Sequence, residues 1–461
     1  MEKHFLLLIS LVFSFTLFHV CLASTAGTLD GSEYWGYVEV RPKAHLFWWL
    51  YKSPYRVEDP SKPWPIILWL QGGPGGSGVA FGNFLEIGPL DSNLKPRNST
   101  WLHKADLLFV DSPVATGFSY VENETLVVRT DEEAATDLTT LLKELFNRNE
   151  TLQKSPLYIF AESYGGKFAV TLGISAFQAI EAGELKLQLG GIALGDSWIS
   201  PEDFVFSWGP LLKDLSRMSS NGLNISNSLA LKIQQQLAEG AYVNATSTWS
   251  ELESVVLDYS NNVDLYNFML DYENDPVVGI SKERSKGLSK DRYSMYVEAR
   301  FYRSAGATAG SSSDLYSLMN GLIKKKLKII PRNVTWGGQN GLVFPALHGD
   351  FMKPRIQEVD ELLAKGVRVI IYNGQLDLIC STKGAEAWLN KLKWDGLKNF
   401  LSVDPTPLYC KGHNSTTKAF TTSYQNLSFY WILGAGHFVP VEQPCISLQM
   451  VGTVTQSPNN S

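Results

Sequence analysis

Ser163 lies between an apolar stretch and a helical one, a position from which a serine can act as a nucleophile. The segment Leu157-Tyr-Ile-Phe-Ala161 predicts a buried strand, and a helical pattern follows over 167–180. The small residues Ala161 and Gly165 let the chain turn sharply, which lifts the serine hydroxyl above the sheet edge beside the first amides of the helix. An ordinary strand-to-helix turn has the same pattern, so the interpretation depends on the rest of the chain.

An acid and a base follow two later predicted strands. Asp377 comes after the apolar strand predicted over 367–372, and His437 comes after the one predicted over 427–433. A histidine takes the proton of a serine nucleophile and an acid orients the histidine; the order Ser, Asp, His is that of α/β-hydrolases. His413 also follows Asp377, but it adjoins a glycosylation sequon, where a sugar would crowd it. The three strand-end residues are therefore predicted to form a catalytic triad.

A glycine-rich loop stands upstream of the serine. The apolar strand predicted over 65–70 ends in Gln71-Gly-Gly-Pro-Gly-Gly-Ser77. Glycines leave backbone N–H groups free to approach an anion, which is what an oxyanion hole requires. A plain flexible loop has a similar composition, but the position before the serine turn favours a function.

The chain around these residues alternates strands with helices up to about residue 200. Further strands are predicted over 105–110 and 187–195, a helix over 131–148, and an antiparallel hairpin over 34–52. This alternation predicts an α/β fold of the α/β-hydrolase class, with a mostly parallel central sheet covered on both faces.

Residues 201–336 differ from the rest because amphipathic helical segments dominate them. We interpret them as a helical cap inserted over the carboxyl ends of the strands. The catalytic core would then comprise residues 27–200 and 337–455. Within the cap, Ser281–Ser313 is rich in Lys, Arg, Ser and Gly and predicts an exposed loop, a candidate for cleavage into two chains.

The amino terminus predicts entry into the secretory pathway. Residues 1–26 read as a signal peptide, because the apolar run over 5–18 is too short for a comfortable membrane span and small residues follow it. An uncleaved anchor is the alternative. After cleavage we expect no membrane association and a secreted protein, with vacuole and lysosome left open. Nine sequons agree with this route: Asn98, Asn123, Asn149, Asn224, Asn244, Asn333, Asn414, Asn426 and Asn459.

Charge and cysteine count exclude several classes of protein. The net charge is −6 with no basic patch, so nucleic acid is not an expected partner. Cys21 falls in the signal, and Cys380, Cys410 and Cys445 remain, which allows at most one internal disulfide. The cysteine spacings suit no zinc site, and we expect neither a metal nor a cofactor.

The motifs together resemble the serine carboxypeptidase family, in particular the branch of retinoid-inducible serine carboxypeptidase and plant serine carboxypeptidase-like proteins. The resemblance runs from the hairpin at Tyr34 to His437. Its main motifs are Trp69-Leu-Gln-Gly-Gly-Pro-Gly75, Phe84-Leu-Glu-Ile-Gly-Pro89, Phe109-Val-Asp-Ser-Pro-Val-Ala-Thr-Gly-Phe-Ser-Tyr120, Glu162-Ser-Tyr164, Asn373-Gly-Gln-Leu-Asp377 and Gly436-His-Phe-Val-Pro440.

The resemblance implies a peptidase that removes C-terminal residues. Ser163 would attack the last peptide carbonyl, with the amides of Gly73 and Tyr164 as oxyanion hole. Four residues would bind the free terminal carboxylate of the peptide: Gln71, Gly72, Glu86 and Glu162. Two glutamates bind an anion only when protons are shared, so we expect activity in mild acid that declines towards neutral pH.

The sequence departs from the commoner family pattern at two positions of the glycine loop. Gln71 stands in place of an asparagine and Gly76 in place of a cysteine, which removes a disulfide that ties cap to core in several members. Cys380 matches a position that is an unpaired thiol in some members. The resemblance thus implies a disulfide between Cys410 and Cys445.

Three functions remain open at this stage. The first is a carboxypeptidase acting on peptides with a free C-terminus, which the retained Glu86 and Glu162 favour. The second is an acyltransferase of the same fold that uses glucose esters. The third is a secreted protein that binds without catalysis. Side-chain preference and oligomeric state are not predicted.

Overall fold

The structure is a computed structural model, and it describes residues 24–57, 61–271, 314–337, 341–410 and 416–458. One sheet runs through the described residues. Its twelve strands are β1 (Ser24–Gly27), β2 (Glu33–Arg41), β3 (Ala44–Tyr51), β4 (Ile66–Leu70), β5 (Asp106–Val110), β6 (Tyr120–Val121), β7 (Pro156–Glu162), β8 (Gln188–Gly195), β9 (Val369–Gly374), β10 (Thr406–Leu408), β11 (Ala419–Tyr424) and β12 (Leu427–Ile432).

The strands lie in the order β1-β2-β3-β5-β4-β7-β8-β9-β12-β11-β10, with β6 paired to β3. The six strands from β5 to β12 pair in parallel, and the strands at both edges pair antiparallel. Every residue of β4, β5 and β9 is buried, as expected for strands covered on both faces. The predicted α/β-hydrolase fold with a mostly parallel central sheet is confirmed.

Helices cover the sheet and fill the interval between β8 and β9. The α-helices of the described residues are α1 (Asp131–Phe146), α2 (Glu150–Gln153), α3 (Gly165–Glu181), α4 (Pro201–Asp214), α5 (Ser220–Ala238), α6 (Tyr242–Tyr259), α7 (Asp314–Leu318), α8 (Lys324–Leu327), α9 (Val343–Ala346), α10 (Ile356–Ala364), α11 (Thr382–Leu389), α12 (Leu397–Phe400), α13 (Val439–Glu442) and α14 (Pro444–Thr455). Two π-helices (Gly78–Ile87, Met319–Ile323) and two 3₁₀ turns (Trp101–His103, Glu124–Leu126) complete the set.

The described part of residues 201–336 contains helices as its named elements, and the division into core and cap stays a prediction. The predicted exposed loop Ser281–Ser313 lies outside the described residues. So do the first 23 residues of the predicted signal peptide. The last three residues of that segment belong to β1, which pairs with β2 over Ser24–Gly27.

The order of the strands creates a crevice between β4 and β7. The chain leaves β4 towards β5 on one side, and it leaves β7 towards β8 on the other. In open parallel sheets, the crevice at such a reversal, beyond the carboxyl ends of the strands, is where ligands bind. Gln71 follows β4 and Ser163 follows β7, so the glycine loop and the serine meet at this crevice.

Candidate active site

Ser163 occupies the turn between β7 and α3 with a backbone φ of 60°, a left-handed conformation that is rare for residues other than glycine. Two hydrogen bonds define the turn: the Ser163 N–H donates to the Gly195 carbonyl, and the Gly166 N–H donates to the Ser163 carbonyl, both at 3.0 Å. The methyl group of Ala161 is fully buried in β7, so the turn forms with alanine in place of the usual glycine. This is the geometry of a nucleophile elbow.

The glycine loop approaches the serine so closely that Gly72 has no room for a side chain. A Cβ atom on Gly72 would lie 2.5 Å from Ser163 Cβ and 3.0 Å from Ser163 Oγ. Gly73, which has a φ of 115°, and Tyr164 line the same pocket as the serine. The two residues predicted as oxyanion donors therefore lie beside the predicted nucleophile.

The predicted acid and base are in direct contact. His437 Nδ1 lies 2.8 Å from Asp377 Oδ2, and both side chains are completely buried. Their loops are pressed together, since a Cβ on Gly374 would lie 1.9 Å from the Gly436 carbonyl oxygen. Tyr266, from the predicted cap, contacts the histidine loop as well: the His437 N–H donates to the Tyr266 carbonyl at 2.8 Å, and the two rings meet edge to face.

A small cavity of about 30 Å³ opens on the serine. Aromatic side chains from separate parts of the chain surround it: Trp198, Trp249, Tyr266, Phe344 and Phe351. No sequence pattern reveals them, because they follow no common spacing and only the tertiary structure brings them together. Such walls favour apolar side chains of a bound ligand.

The four residues predicted to bind a carboxylate are brought together beside the elbow. Gln71 Nε2 donates to Glu162 Oε1 at 2.8 Å and to Glu86 Oε1 at 3.1 Å, while Gln71 Oε1 accepts a hydrogen bond from Trp69. Gln71 thus bridges the two acids. Burial raises the pKa of Glu86, against the opposing effect of its hydrogen bonds to Glu162 and Gln71.

Glu86 lies near the end of the π-helix Gly78–Ile87, whose start is held by a buried hydrogen-bond cluster. Asp111 Oδ1 accepts from the Ser77 hydroxyl at 2.6 Å and from the Val79 N–H at 3.1 Å. Trp336, from the predicted cap, donates its indole N–H to Ser77 Oγ at 2.9 Å. Next to Gly76, a hydrogen bond therefore joins the predicted cap to the glycine loop.

A second buried cluster lies at the hydroxyl group of Tyr164, the residue that follows Ser163. The Tyr164 hydroxyl donates to Asp131 Oδ1 at 2.8 Å, and Lys167 and Arg355 both contact Asp131 Oδ2, at 3.3 and 2.9 Å. Arg355 also donates to Asp350 at 2.8 Å. No local sequence pattern reveals this cluster, because its members come from three separate segments.

Asp196 is a further buried acid that the sequence analysis missed. It follows β8, which lies between the strands that lead to Ser163 and Asp377, and its side chain is completely buried. The available signal was its position at the end of a predicted parallel strand. The triad pattern assigns Asp196 no role, so the sequence did not predict it as a site residue.

The cysteines are arranged as the resemblance implies. Cys410 and Cys445 form a disulfide with their Cα atoms 6.0 Å apart, and Cys380 is a buried free thiol. The Cys380 sulfur lies within 4.8 Å of polar atoms of Asp377 and His437. Burial raises the pKa of this thiol well above its usual range, which keeps it protonated and poorly nucleophilic.

The sequons differ in accessibility. Asn414 and Asn459 lie outside the described residues, and six others are exposed: Asn98, Asn123, Asn149, Asn224, Asn244 and Asn333. Asn426 is half-buried, and its Nδ2 donates to the carbonyls of Leu363 and Val367 at 2.9 and 2.8 Å. A sugar on Asn426 would displace these hydrogen bonds, so we expect it to be the least used of the seven.

The fold and the site define an α/β-hydrolase with a serine nucleophile elbow. Among the solved structures, Kex1(Δ)p, a prohormone-processing carboxypeptidase from Saccharomyces cerevisiae, superimposes with a TM-score of 0.73 at 20% identity, covering 93% of this chain and 92% of that one. At this identity the similarity shows the fold alone.

Comparison of the sequence with known proteins identifies the family of the chain. The family model described as serine carboxypeptidase matches residues 24–457. Serine carboxypeptidase-like 51 of Arabidopsis thaliana is 62% identical over 432 residues, covering 93% of each chain. Retinoid-inducible serine carboxypeptidase of Mus musculus is 43% identical over 439 residues, covering 93% of this chain and 92% of its own. The chain belongs to the serine carboxypeptidase family, a family of hydrolases, as predicted.

A search of the described residues for membrane-spanning helices finds none with the length and apolarity that a bilayer crossing needs.

Proposed function

We propose that this protein hydrolyses the C-terminal residue of peptides through a Ser163 acyl-enzyme. The observation that carries the proposal is the Gln71 bridge between Glu86 and Glu162, directly beside the elbow. A general esterase has no need of a buried acid pair at this position. An enzyme that must bind a free carboxylate next to the scissile bond does, provided that a proton is available.

Acylation follows from the positions of the three polar residues. Ser163 Oγ attacks the last peptide carbonyl while His437 Nε2 takes the hydroxyl proton and then passes it to the leaving amino acid. Asp377 Oδ2 accepts the Nδ1–H of His437, which fixes the tautomer that leaves Nε2 as the base. The amides of Gly73 and Tyr164 stabilise the oxyanion, and one such donor contributes about 2.7–4 kcal/mol in acyl transfer.

Deacylation uses the same groups with water as the nucleophile. His437 takes a proton from water, the hydroxide adds to the acyl carbonyl, and the proton returns to Ser163 Oγ as the shortened peptide leaves. The aromatic cavity beside Ser163 would take the side chain next to the scissile bond, which favours apolar residues there.

The acid pair explains how a terminal carboxylate would be bound without repulsion. Because burial raises the pKa of Glu86, this group keeps its proton in mild acid and donates it to the substrate carboxylate. As the pH rises and the proton is lost, the pair becomes a repulsive dianion. Activity should therefore decline towards neutral pH.

The test compares one peptide with a free C-terminus and its C-amidated twin at about pH 5, where a shared proton is retained. Mass spectrometry follows loss of the last residue, with Ser163→Ala as blank. Loss from the free peptide alone is expected. Equal loss from both would remove the carboxylate role, and no loss from either would favour acyl transfer from glucose esters or a binding function.

The partners follow from the reaction. We propose peptides with a free C-terminus as substrates, no nucleic acid, and a secretory route for the protein. Support comes from the predicted signal segment and from six exposed sequons. Mass spectrometry of the enzyme purified from its source, before and after glycosidase treatment, tests the route; a chain with no glycan at any sequon would contradict it.

A further inference from the structure

Asp196 is a buried acid at the active site for which the mechanism above has no use. Its backbone N–H donates to the Tyr372 carbonyl at 2.9 Å. Its Oδ1 atom accepts from the Gly374 N–H at 2.8 Å, and the Asn373 amide lies at 3.4 Å. These contacts hold the carboxyl group against the loop that carries Asp377.

The second carboxyl oxygen of Asp196, Oδ2, faces Asp377. Asp377 Oδ2 accepts from His437, which leaves Asp377 Oδ1. Asp377 Oδ1 and Asp196 Oδ2 are both buried, and neither meets a donor from the described residues. The two carboxyl groups are nevertheless close enough to share a hydrogen bond. Ionised carboxylates only accept, so this contact requires a proton on one of the two acids.

We propose that Asp196 is a positioning residue, a protonated carboxylic acid that donates its hydrogen bond to Asp377 Oδ1 and aligns that carboxylate with His437. The assignment of the proton follows from the neighbours. Asp377 must be the anion because it faces the imidazole that becomes charged during the reaction. Asp196 faces an acid, and a neutral carboxyl group satisfies both partners: its hydroxyl donates to Asp377 and its carbonyl oxygen accepts from Gly374.

The electrostatic surroundings favour the neutral form. Burial, and then the charge of Asp377, raise the pKa of Asp196 well above its usual range. Glu442, at the end of α13, adds a further negative charge. The other titratable groups that face it are neutral acids, Tyr372 from β9 and Cys380 from the aspartate loop. An ionised Asp196 would therefore add a second negative charge beside Asp377 without a positive charge to balance it.

The proposal rests on the triad role of Ser163 but not on peptide substrates. The reactivity of the serine should fall as the pH rises through the pKa of Asp196, because an ionised Asp196 repels Asp377 and breaks its alignment with His437. The acid pair Glu86 and Glu162 acts on the terminal carboxylate instead. A reagent without a carboxylate separates the two effects.

Diisopropyl fluorophosphate is such a reagent. Ser163 Oγ attacks its phosphorus, fluoride leaves, and the hydroxyl proton passes to His437. The rate of this reaction is compared for the wild type, Asp196→Asn and Asp196→Leu. Asparagine still donates to Asp377 and accepts from Gly374, so a rate within about threefold of the wild type is expected at pH 6. Leucine donates nothing, and a loss of about 10- to 100-fold is expected, the usual effect of a hydrogen bond to a charged group.

Two further readouts distinguish positioning from a merely structural role. The infrared difference spectrum of wild type minus Asp196→Asn at pH 6 should contain the C=O band of a protonated carboxyl group. The wild type should react more slowly with diisopropyl fluorophosphate at high pH, whereas the Asp196→Asn variant should show no such decrease in rate. The proposal is overturned if the band is absent, if asparagine is as slow as leucine, or if leucine reacts as fast as the wild type. Because asparagine keeps the shape of the site, the test stands even if the leucine variant fails to fold.

Discussion

Two buried clusters of charged residues lie near the elbow, and they differ in their balance of charge. On the side of the triad, four acids share one histidine: Glu86, Glu162, Asp196 and Asp377. Under Tyr164, two acids meet two bases: Asp131, Asp350, Lys167 and Arg355. We call them the acid cluster and the balanced cluster.

The difference shows in the protonation of the two clusters. In the balanced cluster, burial raises the pKa of Asp131 to about 6 in spite of Lys167 and Arg355, whereas the same two bases hold the pKa of Asp350 below its usual value although burial alone would raise it. In the acid cluster, burial raises the pKa of Glu86 and of Asp196. Paired charges hold the elbow in place, whereas unpaired acids retain protons that a reaction can use. The following variants test this division, from the largest expected effect to the smallest.

Replacing Asp377 by asparagine should lower kcat/KM about 10⁴-fold, because the amide no longer fixes the required tautomer of His437. The measurement is hydrolysis of a peptide with a free C-terminus at about pH 5, within the range where the acid pair holds a proton. Asp214→Asn, which alters an exposed acid 3.5 Å from Lys383, is the control and should match the wild type. A loss below tenfold for Asp377→Asn would contradict the assigned triad.

Replacing Arg355 by methionine should cost about 3–5 kcal/mol of unfolding free energy, because it leaves two buried acids with one base. Urea denaturation measures this. Lys143→Met is the control, since Lys143 is partly exposed and 2.6 Å from Glu184, outside the cluster, and such pairs contribute about 0–1 kcal/mol. Equal losses in the two variants would show that the balanced cluster does not stabilise the elbow.

Replacing Glu86 by glutamine should change how the KM for a peptide with a free C-terminus depends on pH. The raised pKa of Glu86 means that its proton is present in mild acid and is lost as the pH rises, so the wild-type KM for a free peptide should increase towards neutral pH, by up to about tenfold per pH unit. A glutamine cannot ionise, so the variant should give a flatter profile. Glu132→Gln alters an exposed acid that contacts Arg355 of the balanced cluster, and this variant should keep the wild-type profile. A wild-type profile that is flat from about pH 5 to 8 would remove the shared proton from the mechanism.

Replacing Tyr164 by phenylalanine should cost about 1–2 kcal/mol of unfolding free energy, because it removes a buried donor from Asp131. Tyr424→Phe removes an exposed hydroxyl that accepts from Asn399 and should cost little. Identical urea midpoints for the wild type and Tyr164→Phe would show that the hydroxyl does not support the balanced cluster.

Much of the fold was predictable because its central strands are continuous apolar segments and its helices have clear periodicity. The hairpin at β2 and β3, the strands β4, β5, β7, β8, β9 and β12, and helix α1 all fall where patterning puts them. The short edge strands β10 and β11 were not predicted. They are partly exposed and carry little apolar pattern, and they are strands because β11 pairs with β12 and β10 pairs with β11.

The sequence by itself determined which residues follow the strands of a parallel sheet, and thus that Ser163, Asp377 and His437 would share one edge. Strand ends and chain order are local properties, so a single sequence carries them. Only the tertiary structure decided which acids lie beside one another: Gln71 between Glu86 and Glu162, Asp196 against Asp377, and Asp131 between Lys167 and Arg355. These contacts join residues up to 224 positions apart, and protonation depends on burial and on such neighbours, which no local pattern records.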